Sequence, residues 1–266
     1  ADVLRDLDLG TYLTRESWTS KCNHWKKKWP TCLKEYDNDK EGINMYYFTG
    51  ALSNFLPQGV AVVCDAGSAG YVPYQGLFLE EGQRFIIPAA QLEMGFTLPG
   101  MIGACVANDK KKTIGITGDG SFMLNIQELQ TIVHLNLPVV IFVWNNNGYL
   151  SIRSTQDRFF DGRRLGTDEA SGVSFPNLSK IADAFGLKYY TSKKNAELLE
   201  KLPMAMAETG PVLFEVICPE NQAIIPTVSA LKREDGSMVS KPFEDMAPFL
   251  DRDEFEDEMI VPPLKH

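Results

Sequence analysis

Two short polar segments of the sequence each follow an apolar run, and together they could bind a divalent cation. Residues 118–120 read Gly-Asp-Gly, and residues 145–148 read Asn-Asn-Asn-Gly. In an open parallel sheet, ligands bind outside the carboxyl ends of the strands, and a right-handed crossover keeps successive strands close together. The carboxylate of Asp119 and the amide of Asn146 can therefore converge. Carboxylate, amide and backbone carbonyl oxygens are the ligands that Mg²⁺ prefers.

The first segment could also accommodate a diphosphate. Gly118 and Gly120 leave no side chain where a diphosphate would approach the backbone. The N–H groups of Gly120, Ser121 and Phe122 lie near the start of the next predicted helix, a position that attracts anions. A Gly-Asp-Gly sequence alone is usually a plain turn. The combined pattern of two strands, an intervening helix and both polar segments makes a binding site the stronger interpretation.

Apolar strands alternate with helical patterns along the middle of the chain, which predicts an α/β fold. The predicted strands are 60–64, 84–88, 113–117, 139–144, 188–190 and 212–217. The predicted helices are 17–29, 46–55, 94–107, 125–134, 178–185 and 196–208. Several strands are wholly apolar, as expected when both faces of a sheet are buried. We therefore expect a mainly parallel β-sheet flanked by helices on both faces, with a tight turn at residues 118–120.

Composition narrows the choice of partners. The 266 residues carry a net charge of −9, with 26 basic and 35 acidic residues, so nucleic acid is not an expected partner. No apolar run reaches the roughly 20 residues of a membrane helix, so no membrane association is expected. The five cysteines are odd in number and irregularly spaced, which favours a reducing, cytoplasmic compartment.

The stretch from residue 118 to 149 resembles the pyrophosphate-binding domain of thiamine diphosphate-dependent enzymes, in the acetolactate synthase and pyruvate decarboxylase group. The resemblance rests on Gly-Asp-Gly-Ser, a Glu-Leu pair in the helix, a buried strand and Asn-Asn-x-Gly-Tyr, and it covers roughly residues 43–220. It implies the cofactors thiamine diphosphate and Mg²⁺. The implied metal ligands are Asp119, Asn146 and the carbonyl of Gly148, with Tyr149 beside the cofactor.

Two upstream segments extend the resemblance. Gly67 and Ser68 lie where the family has a loop that touches the diphosphate, although a plain strand-to-helix loop is the alternative. Met94 lies where the family has a bulky apolar residue that holds the two cofactor rings in a bent conformation. The carbonyl of Leu92 would then accept a hydrogen bond from the aminopyrimidine. A methionine of the hydrophobic core is the alternative for Met94.

The resemblance also implies that a further domain is needed. In the family, a glutamate that activates the pyrimidine belongs to a separate pyrimidine-binding domain, and the two domain types meet across a dimer. Residues 1–42 are too short for such a domain and are expected to be a linker or the tail of a preceding one. Residues 221–266 are expected to form an extension that packs on the domain or a partner. We therefore expect the C-terminal part of a longer chain, or one subunit of a split enzyme, in a homodimer or higher oligomer.

The substrate implied by the resemblance is a 2-oxoacid or related ketone, and the reaction is carboligation, decarboxylation or carbon–carbon cleavage. Residues 149–156 lack the methionine and tryptophan of acetolactate synthases, and Ile152 stands near where simple decarboxylases carry a glutamate. Both departures favour ligation or cleavage of a less common substrate. Arg153 could meet a substrate carboxylate, but a surface arginine is the favoured interpretation. The alternative function is a non-catalytic regulatory or structural subunit that keeps the fold.

Overall fold

A six-stranded sheet lies at the centre of the chain in the structure, a computed structural model that describes residues 16–232, 235 and 237–262. Its strands are β1 (Ala61–Cys64), β2 (Arg84–Ile86), β3 (Thr113–Gly118), β4 (Val139–Asn145), β5 (Lys188–Ser192) and β6 (Val212–Ile217). Their order is β2-β1-β3-β4-β6-β5, and every neighbouring pair is parallel. The expected parallel α/β sheet is confirmed.

Ten α-helices occur in the described residues. They are α1 (Glu16–Lys28), α2 (Met45–Ser53), α3 (Ser68–Gly76), α4 (Thr97–Ala107), α5 (Asp119–Met123), α6 (Glu128–His134), α7 (Leu150–Phe159), α8 (Leu178–Phe185), α9 (Asn195–Ala207) and α10 (Arg252–Glu258). Short 3₁₀ turns cover Lys34–Asp37 and Glu169–Ser171. A hairpin of β7 (Ala230–Lys232) and β8 (Met238–Ser240) lies in the C-terminal segment.

Helices cover both faces of the sheet. Because successive side chains of a strand point to opposite faces, each strand contributes to two separate hydrophobic cores. On one face, Phe142 of β4 packs with α2, α3 and α9. On the other face, Ile141 packs with α4, α6 and α8. Every residue from Val139 to Trp144 is fully buried, which explains why this strand reads as an unbroken apolar run. The ring of Phe48 contacts Phe142 edge-on, with 5.0 Å between their centroids.

Three local expectations differ from the structure. Residues 118–120 are not a separate tight turn, because β3 ends at Gly118 and α5 begins at Asp119. Helix α4 begins at Thr97 rather than at residue 94, which leaves Met94 in a loop. Helices α3 and α7 were not predicted; α3 contains Pro73 and two glycines, so its sequence does not have the composition of a helix.

The two ends of the described chain meet. The carboxylate of Glu258 in α10 accepts hydrogen bonds from Lys21, His24, Trp25 and Lys28 of α1. Residues 1–15 of the expected N-terminal linker, and residues 233, 234, 236 and 263–266 of the expected extension, lie outside the described residues. Within the described ranges, none of the helices is long and apolar enough to cross a membrane.

The contact of α4 with β3 generates a stability prediction. A Cβ added at Gly115 would lie 2.0 Å from Sδ of Met101 and 2.7 Å from Cγ2 of Thr97. We therefore expect Gly115→Ala to lower the free energy of unfolding by about 1–3 kcal/mol through overpacking. The matched control is Gly103→Ala on α4, where a Cβ meets no atom within 4 Å. Because alanine favours helix, the control should stabilise by up to about 1 kcal/mol. Urea denaturation measures both values, and equal effects would contradict the packing argument.

Candidate functional site

A cleft opens at the carboxyl ends of β1, β3 and β4, and it encloses about 440 Å³ of space that is continuous with solvent. The chain runs from β1 outward to β2 and then returns to β3 on the other side of β1. Such a point of reversal is where open α/β sheets bind ligands. The cleft is lined by residues of four separate segments: Ala66, Gly67, Ser68, Met94, Gly118, Asp119, Gly120, Ser121, Asn146, Gly148, Tyr149, Leu150, Ser151 and Ile152. Of the predicted cofactor residues, Leu92 alone is not among them.

Asp119 connects the end of β3 with the loop that follows β4. Its side chain is almost fully buried. Oδ1 accepts a hydrogen bond from the N–H of Gly120 at 2.7 Å, and Oδ2 accepts one from the N–H of Gly148 at 3.0 Å. Burial raises the pKa of Asp119 to about 6, although both N–H groups oppose the shift. No Lys, Arg or His within the described ranges forms a salt bridge with this carboxylate, so a bound cation would offset the cost of burying its charge.

The loop after β4 presents the other two predicted metal ligands. Asn146 is buried, and its Nδ2 has no hydrogen-bond partner in the described part of the chain. Gly148 has φ of 140°, and a Cβ there would lie 2.0 Å from the carbonyl oxygen of Thr167, so only glycine fits. No donor among the described residues contacts the carbonyl of Gly148. The side chain of Asn147, between these two residues, instead donates to Oε1 of Glu220 at 3.1 Å.

The opposite side of the cleft has features that suit an anion. Helices α3 and α7 begin at Ser68 and Leu150, so both N-termini border the cleft. Gly67 has φ of 60° and ψ of −140°, a conformation that is essentially restricted to glycine. No hydrogen-bond partner of the Ser68 hydroxyl occurs in the part of the chain that the structure describes. A Cβ at Gly118 would meet no atom within 4 Å, so space is open above this residue.

An aromatic ring packs against Gly120. A Cβ at Gly120 would lie 2.2 Å from Cε1 of the Tyr149 ring. The ring of Tyr149 therefore fills the space beside Gly120. This ring also packs edge-on against that of Phe175, with 5.7 Å between the two ring centroids. The space beside Gly118 is open and that beside Gly120 is filled, and the role of both glycines in admitting a diphosphate stays a prediction.

The carboxylate of Asp65 links the segments that form the cleft, a role that was not predicted from the sequence. Its buried carboxylate accepts five hydrogen bonds, from the N–H groups of Ala66, Gly95 and Thr97 and from the hydroxyls of Thr117 and Ser121. The hydroxyl of Ser121, a predicted cofactor residue, thus donates to Asp65 at 3.0 Å. An acidic residue directly after a fully apolar strand is the signal that could have revealed it.

Met94 lies in the cleft rather than in the core. Its side chain is 43% exposed, which excludes the alternative of a core methionine. Positive φ values at Leu92 (53°) and Gly95 (85°) set the course of this segment. Gly95 is fixed at both ends, because its N–H donates to Asp65 and its carbonyl accepts from Nδ2 of Asn125 at 2.9 Å. The carbonyl role of Leu92 stays a prediction.

Arg153 is not a surface residue. It is 1% exposed and does not line the cleft, so the favoured surface interpretation is wrong and the substrate-carboxylate interpretation gains no support. Among the residues that the structure describes, the only ionisable side chains that line the cleft are those of Asp119 and Tyr149. Ala66, Met94 and Ile152 give the cleft an apolar part.

The Asp65 contacts generate a prediction. Asp65→Asn replaces one acceptor oxygen by an NH₂ donor, so some of the five donors lose their partner. Each donor left unsatisfied should lower the free energy of unfolding by about 1–3 kcal/mol. The control is Asp157→Asn, whose exposed carboxylate pairs with Arg164 and should matter little. Chemical denaturation of both variants tests this, and an Asp65→Asn variant as stable as the control would refute the anchoring role.

Comparison with known proteins identifies the family. Residues 65–216, more than half of the chain, match the family described as "Thiamine pyrophosphate enzyme, C-terminal TPP binding domain". Acetolactate synthase 3, chloroplastic, of Brassica napus is 32% identical over 217 residues, which are 79% of this chain and 32% of that protein. The acetolactate synthase large subunit of Porphyra purpurea is 30% identical over 214 residues, which are 80% of this chain and 35% of that protein. The chain thus spans about a third of the length of these relatives. It belongs to the thiamine pyrophosphate enzymes and contains their C-terminal TPP binding domain.

Proposed function

We propose that the cleft binds thiamine diphosphate through Mg²⁺, and that Asp119, Asn146 and the carbonyl of Gly148 are the metal ligands. The chain would then be the diphosphate-binding part of an enzyme that acts on 2-oxoacids or related ketones. The observation that carries this proposal is the buried carboxylate of Asp119, which has no cationic side chain in contact among the described residues and faces a loop with a free carbonyl.

The chemistry of these groups favours Mg²⁺ over a softer metal. A carboxylate, an amide oxygen and a backbone carbonyl are hard oxygen ligands, and Mg²⁺ usually keeps further positions for phosphate oxygens and water. The unpartnered Nδ2 of Asn146 is a hydrogen-bond donor that lacks an acceptor among the described residues, and a phosphate oxygen of the cofactor would supply one. We infer that a diphosphate completes the coordination from the side of Gly67, Ser68 and Gly118.

Met94 would support the two rings of the cofactor, because its exposed side chain projects from a loop that Asp65 and Asn125 fix. When bound, thiamine diphosphate supplies the carbanion that adds to a ketone carbon of the substrate. The chain's own residues would anchor the diphosphate, support the rings and exclude water from the apolar part of the cleft.

A second domain or subunit is part of the proposal. Asp119 would be occupied by the metal, which leaves Tyr149 as the other ionisable side chain that lines the cleft in the described part of the chain. Neither is a free carboxylate that could activate the pyrimidine, so a separate pyrimidine-binding domain would supply that group. Exposed aromatic side chains on the two helices that begin at the cleft support a partner surface: Tyr71 and Tyr74 on α3 and Phe159 on α7. A homodimer or higher oligomer would follow.

The reaction class is inferred from Ile152. Its side chain is 42% exposed and lines the cleft beside Ala66 and Met94. An apolar residue there cannot protonate a reaction intermediate, so we propose carbon–carbon ligation or cleavage, a transferase or lyase activity, rather than simple decarboxylation. A non-catalytic subunit is the alternative, and it would leave 2-oxoacids unchanged even with the pyrimidine-binding partner present.

Calorimetric titration of thiamine diphosphate into the chain tests the proposal. Saturable heat is expected with Mg²⁺ present, and EDTA should abolish it. Binding that persists in EDTA would contradict the metal-mediated site, and absence of binding under both conditions would contradict the cofactor assignment for this chain.

Asp119→Asn should remove this Mg²⁺-dependent binding without unfolding the chain. The variant keeps the shape of the side chain and removes a charge whose burial is unfavourable. Loss of a metal ligand should weaken cofactor affinity by more than the roughly 10- to 100-fold typical of outer-shell changes. Asp183→Asn, at an exposed position of α8, is the control. The same titration and a thermal melt provide the measurements, and unchanged affinity would disprove the metal assignment.

A further inference from the structure

Arg153 on α7 is buried directly behind the loop that follows β4. Its Nη1 donates to the carbonyl of Asn147 at 3.0 Å, and its Nη2 donates to the carbonyl of Asn146 at 3.0 Å. Nη2 also donates to the carbonyl of Glu220, in the segment after β6. No Asp or Glu side chain within the described ranges forms a salt bridge with Arg153. The guanidinium group therefore holds backbone oxygens rather than a counter-ion.

These hydrogen bonds orient two peptide planes of the loop. In a trans peptide, the carbonyl and the following N–H point in opposite directions. Arg153 binds the carbonyl of Asn147 on one side, and the N–H of Gly148 on the other side donates to Asp119 at 3.0 Å. In the preceding plane, Arg153 binds the carbonyl of Asn146, and the N–H of Asn147 donates to Oδ1 of Asn145 at 3.1 Å. Each plane is thus fixed at both ends.

The same contacts determine which carbonyl stays free. Residues 146, 147 and 148 provide three successive carbonyls, and Arg153 occupies the first two. The third, that of Gly148, has no donor among the residues that the structure describes. Arg153 also packs closely against Gly148. A Cβ added at Gly148 would lie 2.6 Å from Nη1 of Arg153.

We propose that Arg153 is a positioning residue for the metal, which pre-forms the loop by holding the carbonyls of Asn146 and Asn147 and so leaves that of Gly148 for the cation. This inference rests on the proposed Mg²⁺–thiamine diphosphate site. The role is geometric rather than electrostatic, because a buried positive charge near a cation site opposes binding. The planar fork of arginine can hold two carbonyls at once, whereas the single ammonium group of lysine does not reproduce that geometry.

The test compares Arg153→Lys with the wild-type chain in titrations of Mg²⁺ and of Ca²⁺ at one fixed excess of thiamine diphosphate. Mg²⁺ demands near-ideal octahedral geometry, whereas Ca²⁺ accepts flexible coordination. We expect Arg153→Lys to bind Mg²⁺ about 10- to 100-fold more weakly, the usual range for outer-shell changes, with a much smaller loss for Ca²⁺. The control is Arg158→Lys, at an exposed position of the same helix that contacts Ser229, which should change neither affinity.

A second measurement needs no variant. Hydrogen exchange of the metal-free wild-type chain should show the amides of Asn147 and Gly148 protected before any metal is added, because the loop is already formed. Protection that arises only after Mg²⁺ is added would overturn the proposal, even if Arg153→Lys failed to fold. Equal losses for Mg²⁺ and Ca²⁺, or no loss of either, would also overturn it. A wild-type chain that binds no cofactor would instead refute the proposed function, and with it the role of Arg153.

Discussion

The site depends on one buried carboxylate that binds no cationic side chain in the described structure. Asp65 follows β1 directly, and its five hydrogen bonds reach the segment around Gly95, the end of β3 at Thr117 and the start of α5 at Ser121. Because a buried charge is costly unless several donors satisfy it, these contacts couple the positions of the three segments. The position of Met94 and the position of Asp119 are therefore consequences of the same interaction.

The loop after β4 is fixed by a different set of contacts. Arg153 lies on one side of this loop. On the other side, Oδ1 of Asn145 accepts a hydrogen bond from the N–H of Asn147, and Nδ2 of Asn145 donates one to Glu215 of β6 at 2.6 Å. Asp119, the first residue of α5, completes the arrangement by accepting from Gly148. Two strands, two helices and the segment after β6 thus determine the course of four residues. Such rigidity suits a metal with strict geometric demands, which is the kind of ion that we propose for this cleft.

Much of the fold could be predicted from local sequence, and the exceptions have physical reasons. The strand at Val139–Trp144 is apolar because both its faces are buried, so its sequence is unambiguous. Helix α3 escaped prediction because Pro73 and its glycines oppose helix formation, and only packing on the sheet stabilises it. Asp119 and Asn146 were recognised because each directly follows a strand. The contacts of Arg153 and Asp65 were not recognised, since their partners lie up to 67 and 56 residues away. The position of Asp65 after β1 indicates a buried carboxylate, but it does not reveal which donors satisfy it.

The region that matches the family ends at residue 216, yet the loop is held in part from beyond that limit. The backbone carbonyl of Glu220 accepts a hydrogen bond from Arg153, and its side-chain carboxylate accepts one from Asn147. Gln222, two residues farther on, accepts from the N–H of Met45 at the start of α2. A chimera joined immediately after β6, where the homologous region stops, would exchange these contacts for those of another sequence. Recombination among relatives would therefore preserve the cleft only if the crossover point lay beyond Gln222.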